Sequence, residues 1–305
     1  MKRYLSLVLL LALLLAGCAD SPDRGTGPAE TPQPGPLTIY ASVYPVYAIA
    51  RFVTRDVENV VVHCLTQPLA SCPRSYTLSD WDAALLAGAD LTILGGRGLE
   101  GFTLPQELPQ CVLMTKSELL QGEEKSADAE EASHFEGANP WLFLSLDGLS
   151  EMAETLAVEL GEADPAYAEQ YLENAAAAQE AVEEARARIE EIMLPVDAGP
   201  VAVLHEGLLY VAEDLDLYAA AVIRREPGED LEASEFAAAV NGMTAAGVRI
   251  CLVEQQAPDR LVRDLTGAGF TVVRLDTLML HTETEPETVL NALVGNAEKI
   301  AAAAS

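Results

Sequence analysis

Three short apolar runs in the second half of this chain each stop at a side chain that can hold a metal or move a proton. Val201-Ala-Val-Leu204 runs into His205, Ile250-Cys-Leu-Val253 into Glu254, and Thr271-Val-Val-Arg-Leu275 into Asp276. Each run has the length and composition of a buried strand. In open parallel sheets, ligands gather outside the carboxyl ends of the strands, so these three side chains could converge. One imidazole and two carboxylates make a donor set suited to a divalent transition metal. Each residue also has a plain structural explanation: His205 caps the following helix, Glu254 binds backbone amides, and Asp276 ends a strand. Their shared position carries the chemical reading.

Catalytic signatures are missing from the sequence. His205-Glu206 does not open a metalloprotease HExxH motif, because Leu209 stands where the second histidine would be. There is no GxSxG elbow, no phosphate loop and no CxxC pair, and Gly95-Gly-Arg-Gly98 is not a dinucleotide fingerprint. An enzyme is therefore not expected. The 305 residues carry 48 acidic and 18 basic side chains, a net charge of −30. That balance excludes nucleic-acid binding through a basic patch.

The elements that must position these residues alternate along the chain. Strand character appears at Leu37–Val43, Val57–Val62 and Leu91–Leu94, then at Val201–Leu204, Ala220–Ile223, Arg249–Val253 and Thr271–Leu275. Helical patterns fall at Val46–Val53, Asp80–Ala89, Leu208–Glu213, Ser234–Ala246, Pro258–Ala268 and Leu290–Ala304. Such alternation predicts parallel α/β units. Between the two groups, one helix is expected from Asp164-Pro165 to Leu194, capped by Asp164 and supported by a Glu184–Arg188 pair. At 1.5 Å per residue it would run about 45 Å, enough to traverse two lobes. The fold class is thus α/β, with two parallel-sheet lobes (37–163 and 196–305), a long rigid linking helix (164–195) and a ligand cleft between the lobes.

The N-terminus reads as an address. Met1-Lys-Arg3 precedes an apolar run, Tyr4–Leu15, too short to span a bilayer. Leu15-Ala-Gly-Cys18 has the form of a bacterial lipobox. Residues 1–17 are read as a lipoprotein signal peptide, Cys18 as the lipidated residue, and 18–36 as a Pro/Gly-rich tether. The protein is expected outside the cytoplasm, anchored to the bacterial membrane through Cys18, and monomeric.

An ordered series of segments resembles the zinc/manganese-type solute-binding lipoproteins of ABC importers. The segments are Ala41-Ser-Val-Tyr-Pro-Val-Tyr47, Leu94–Glu100, Asn139-Pro140, Leu204-His205-Glu206 with Tyr210, Arg225-Glu-Pro-Gly-Glu229, Val253-Glu254, Leu275–Leu278 and Asn296–Ile300. The resemblance covers nearly the whole mature chain. It implies two α/β lobes on a rigid helix, a divalent metal ion (zinc or manganese) as cargo, and an ABC permease with its ATPase as partners.

Carried over residue by residue, the resemblance matches His205 to the family's third histidine, Asp276 to its carboxylate and Glu254 to a glutamate near the site. It places Arg74, in Cys72-Pro-Arg-Ser-Tyr76, and Trp141, after Asn139-Pro140, where two further histidines would stand. Neither guanidinium nor indole offers zinc a lone pair. Three readings stay open. A metal site is rebuilt from His205, Asp276 and Glu254 with the Cys72 thiolate or water. Alternatively, Arg74 supplies the positive charge and the cleft takes an anionic or zwitterionic solute walled by Trp141. In the third, the site is degenerate and the lipoprotein serves adhesion or structure. Of the remaining histidines, His63 reads as structural, His134 falls in an acidic loop (122–137), and His281 is expected to be exposed. Cys64 and Cys72 could pair, as could Cys111 or Cys251 with either.

Overall fold

Strand β1, Leu37–Ala41, places Ile39 and Ala41 in the core and leaves the residues between them half-buried. It is an interior strand of a parallel sheet with β2 (Val60–Cys64), β3 (Leu91–Leu94) and β4 (Gln110–Val112), in the order β2-β1-β3-β4. A second parallel sheet contains β5 (Val201–Val203), β6 (Ala219–Val222), β7 (Ile250–Glu254) and β8 (Thr271–Leu275), in the order β6-β5-β7-β8. The two sheets share one topology, and the chain has the two-lobed α/β architecture anticipated for it. This computed structural model describes residues 35–66, 68–69, 72–114, 139–285 and 287–305. The leader, Cys18, the tether up to residue 34 and the acidic segment with His134 lie outside the described residues.

Eight helices are described: α1 (Tyr44–Val53), α2 (Asp80–Ala87), α3 (Leu146–Ala163), α4 (Ala168–Met193), α5 (Leu208–Asp214), α6 (Ala233–Ala245), α7 (Asp259–Gly267) and α8 (Thr288–Ala304). Period two decides the core of the second sheet. Val201, Val203, Ile250 and Leu252 face a large core that also holds Ile39 and Ile93 of the first sheet. Their neighbours Ala202, Leu204, Cys251 and Val253 face a smaller cluster with Leu261, Leu265 and Phe270. Pro36–Ser305 is one compact unit.

The helical centre differs from the sequence expectation. Helix α4 is 26 residues long, but it starts at Ala168, after a 3₁₀ turn over Pro165–Tyr167. Asp164 does not cap it; its carboxylate accepts a hydrogen bond from Tyr171 at 3.1 Å. Arg188 reaches Glu298 of α8 at 3.7 Å. Helix α3, which the strand–helix reading passed over, folds back on α4 and makes its most extensive packing partner. It buries Leu149, Met152, Ala153, Leu156 and Leu160, an amphipathic stripe that was present in the sequence. Through Tyr171, Ala175, Ala178, Val182, Ala185 and Ile189, α4 lies in the common core and touches both α1 and α8. Such a helix resists bending, because any flexure would open packed side chains on both sides. Among the described residues no helix is long and apolar enough to cross a membrane.

Candidate functional site

The carboxyl edge of the second sheet carries the candidate residues, and His205 is its most buried base. It follows β5 after Leu204 and is 2% exposed. The Trp141 indole, itself fully buried, packs edge-on against the imidazole with ring centroids 4.3 Å apart. Asn139 sets this contact. Its amide donates to the Glu206 carbonyl at 2.8 Å, and its oxygen accepts from the Trp141 amide at 3.2 Å. Tyr210 Oη donates to the Asn139 carbonyl at 2.8 Å, which ties the same segment to α5. Gly207 leaves room for the pair, since a Cβ there would stand 2.8 Å from Trp141 Cγ and 2.9 Å from His205 Cε1.

Neither ring nitrogen of His205 has a hydrogen-bond partner among the described residues. Burial lowers its pKa to about 4, against the opposing pull of the nearby Glu254 carboxylate. The ring is therefore neutral at pH 7, which is the form that binds metals. An unpaired polar group at this depth costs about 1–3 kcal/mol unless a ligand satisfies it.

Glu254, at the end of β7, is fully buried and ion-paired to Arg225, whose side chain is 3% exposed. Its other oxygen accepts from the Gly228 amide at 2.9 Å. Arg225 also donates to the carbonyls of Glu229 at 2.7 Å and Glu226 at 3.1 Å. Next to it, Arg224 pairs with Glu206, whose pKa is raised by burial despite that guanidinium and the field of Arg74. Arg74 sits half-buried in the 3₁₀ turn Pro73–Ser75, within reach of this charge cluster. Gly101 is pressed against that turn, where a Cβ would fall 1.7 Å from the Arg74 carbonyl oxygen. Cys72 shares a hydrogen bond with Glu226; burial first, and that bond second, push its thiol up to about 12. At neutral pH it is a thiol, so it would have to lose that proton to serve as the thiolate ligand expected from sequence. Cys64, Cys72, Cys111 and Cys251 are all free, so the Cys64–Cys72 bridge is not made either.

Asp276, after β8, has hydrogen-bond partners of its own. Its backbone is clamped by Asn296 of α8, which accepts from the Asp276 amide at 2.8 Å and donates to its carbonyl at 2.9 Å. Its carboxylate accepts from Leu278 N at 2.8 Å and contacts His281 Nε2 at 2.7 Å. Burial pushes its pKa up, but these hydrogen bonds outweigh burial and the net shift is downward. His281 is not the exposed residue expected from sequence: its side chain is 18% exposed and stacks on Tyr44. His63 stacks on Tyr40 with centroids 5.0 Å apart.

Of the four sequence-predicted ligands, the structure brings His205 and Glu254 together and leaves Asp276 and Cys72 with other partners. Among the described residues, no three His, Cys, Asp or Glu side chains are arranged to hold a metal ion as they stand. Trp141 walls His205.

A family profile described as ZnuA, zinc-uptake complex component A, periplasmic, matches residues 39–303. The chain belongs to the ZnuA family. It is accordingly the solute-binding component of an ABC metal importer, acting outside the cytoplasm with a permease and an ATPase. No curated protein matches the sequence. Among solved structures, the fold of this ZnuA-family chain resembles that of the SBP FpvC from Pseudomonas aeruginosa in complex with Ni2+. The TM-score is 0.74 at 21% identity, covering 88% of this chain and 97% of that one. A crystal structure of ZnuA matches with a TM-score of 0.72 at 23% identity, covering 88% of this chain and all of that one. A Zn(II)-bound mutant variant of AdcAII of Streptococcus pneumoniae matches with a TM-score of 0.71 at 19% identity, covering 87% and 98%.

The members of the charge cluster that sequence reasoning missed are Arg224, Arg225 and Glu206. Two consecutive arginines in so acidic a chain were the available signal, since buried carboxylates demand counter-charges.

Proposed function

We propose that this ZnuA-family chain captures a divalent metal ion, zinc or manganese, at the carboxyl edge of its second sheet, with His205 as the anchoring ligand. The carrying observation is that buried imidazole, neutral at pH 7 and with both nitrogens unpartnered. Glu254 joins the ion only when Arg225 swings off it, Asp276 supplies a carboxylate from the neighbouring strand end, and Cys72 joins only after losing its proton. The ion replaces the positive charge that Arg225 now supplies, so cargo binding and ion-pair release are coupled, and the permease reads the resulting arrangement. The protein works as a monomer tethered through lipidated Cys18.

An anionic or zwitterionic solute is less well supported, because Arg224 and Arg225 already hold carboxylates and Trp141 is committed to His205. The test is metal content by mass spectrometry of the detergent-solubilised full chain, stripped and reloaded with zinc or manganese. About one equivalent retained by the parent and lost in His205→Ala is expected. Equal retention by both proteins would remove His205 from the site, and no retention would sink the metal reading.

A further inference from the structure

Three buried side chains at the His205 edge keep polar atoms that no described residue answers. They are the Nε1–H of Trp141, the Nε–H of Arg225 and both ring nitrogens of His205. Trp141 is fully enclosed, His205 is 2% exposed and the Arg225 side chain 3%. They also stand together. The indole and imidazole centroids are 4.3 Å apart, and the field of the Arg225 guanidinium reaches the His205 ring. Arg225 is committed on its other nitrogens, Nη1 to the carbonyls of Glu226 and Glu229 and Nη2 to Glu254. Glu254 takes only that one nitrogen, because its second oxygen accepts from the Gly228 amide. The Nε–H edge of the guanidinium fork therefore stays open.

The open atoms are unequal in kind. A neutral imidazole offers one donor and one lone pair, so the set presents three donors and one acceptor. A metal ion satisfies the lone pair and leaves the indole and guanidinium donors as they were. Buried donors call for acceptor oxygens.

We infer that the metal ion is captured together with a small oxyanion of the carbonate class, which binds the ion through one oxygen and accepts from Trp141 Nε1–H and Arg225 Nε–H through the others. The inference rests on the metal reading above and deepens it by naming what completes the site. Among the described residues no three His, Cys, Asp or Glu side chains are arranged to hold an ion, so an ion anchored on His205 needs ligands from outside the chain. Charge points the same way. Arg225 and Glu254 cancel, so a dication arriving alone would leave two uncompensated positive charges at a buried site, and one even after Asp276 contributes its carboxylate. The anion also gives Arg225 a partner when it leaves Glu254 to the ion. Bicarbonate from solution passes its proton to water and displaces a metal-bound water; no other bond changes. A histidine at position 141 would give the metal a lone pair, whereas the indole gives a hydrogen bond to the metal's companion.

The test uses the detergent-solubilised full chain in carbonate-depleted buffer. Zinc is titrated against a competing chromophoric chelator, and again after ¹³C-bicarbonate is added. Bicarbonate should raise the zinc affinity roughly 10–100-fold, the worth of a charge-assisted hydrogen bond. A ¹³C resonance of the bound anion should appear only with zinc and saturate at the zinc stoichiometry. Trp141→Phe keeps an aromatic wall without the N–H and should lose most of the bicarbonate gain. A full gain in that variant would overturn the placement of the anion on the indole. Equal zinc affinity in both buffers, still abolished by His205→Ala, would overturn the co-captured anion and leave the metal reading standing. Zinc that binds in neither buffer would overturn both. Because the ¹³C spectrum is read on the parent protein, instability of Trp141→Phe does not blunt the test.

Discussion

The two sheets have the same strand order, yet their carboxyl edges are opposite in character. In the first, Glu100 accepts from the Gly95 amide at 2.7 Å, the Gly96 amide at 3.0 Å and the Ser42 hydroxyl at 2.6 Å. One carboxylate of the same lobe thus answers all three of these donors. In the second, the strand ends carry His205, Glu254 and Asp276, and the buried His205 ring has no hydrogen-bond partner among the described residues. One topology thus yields a sealed edge and an edge strained by buried charge. The strained edge stores desolvation that a cation would relieve.

The sharpest way to break this contrast is to unpair Glu254. Arg225→Met leaves a fully buried carboxylate without its counter-charge, and should cost about 3–5 kcal/mol in urea denaturation. Adding Glu254→Gln to that variant should restore much of the loss; failure to do so would mean that Arg225 acts through packing.

The second effect depends on pH. His205 has a folded pKa of about 4, below its ordinary 6.5, so the unfolded chain binds the extra proton in that interval. The stability tied to the neutral ring is fully present above about pH 6.5 and is lost as pH falls toward 4. His205→Phe should therefore lose about 2 kcal/mol less than the parent between pH 7 and 4.5. Parallel acid limbs in the two proteins would show that the ring is not buried as described.

Gly207→Ala comes next, because its methyl would intrude on both Trp141 and His205; about 1–3 kcal/mol is expected from the shift in thermal midpoint. A neutral result would show that the Trp141–His205 contact yields easily.

The smallest effect belongs to the sealed edge. Glu100→Gln keeps an oxygen for one amide at a half-buried position, and should cost about 1 kcal/mol. A loss as large as that of Arg225→Met would erase the distinction between the edges.

The sequence was most legible where structure is local. Strand runs and their end residues were readable from apolar patterning, and His205, Glu254 and Asp276 do end or follow strands. The three-residue β4 escaped because it is short and lies at an edge of its sheet. The interrupted start of α4 escaped because Pro165 suits a 3₁₀ turn as well as an α-helical first turn. His281 was misread as exposed because its partners are two carboxylates and a tyrosine more than 200 residues earlier in the chain, and spacing along the sequence carries no sign of that stacking.

The sequence by itself determined the α/β alternation, the long helix between two groups of strands, and the residue types available at the strand ends. These follow from side-chain period and hydrophobicity, which act over a few residues. Only the tertiary structure decided which charges met. Glu254 found Arg225 across 29 positions, Cys72 found Glu226, and Asp276 found His281, while His205 found no hydrogen-bond partner among the described residues. The reason is physical: a buried charge is stabilised by whatever counter-charge folding brings within a few ångströms, and that distance is set by tertiary packing.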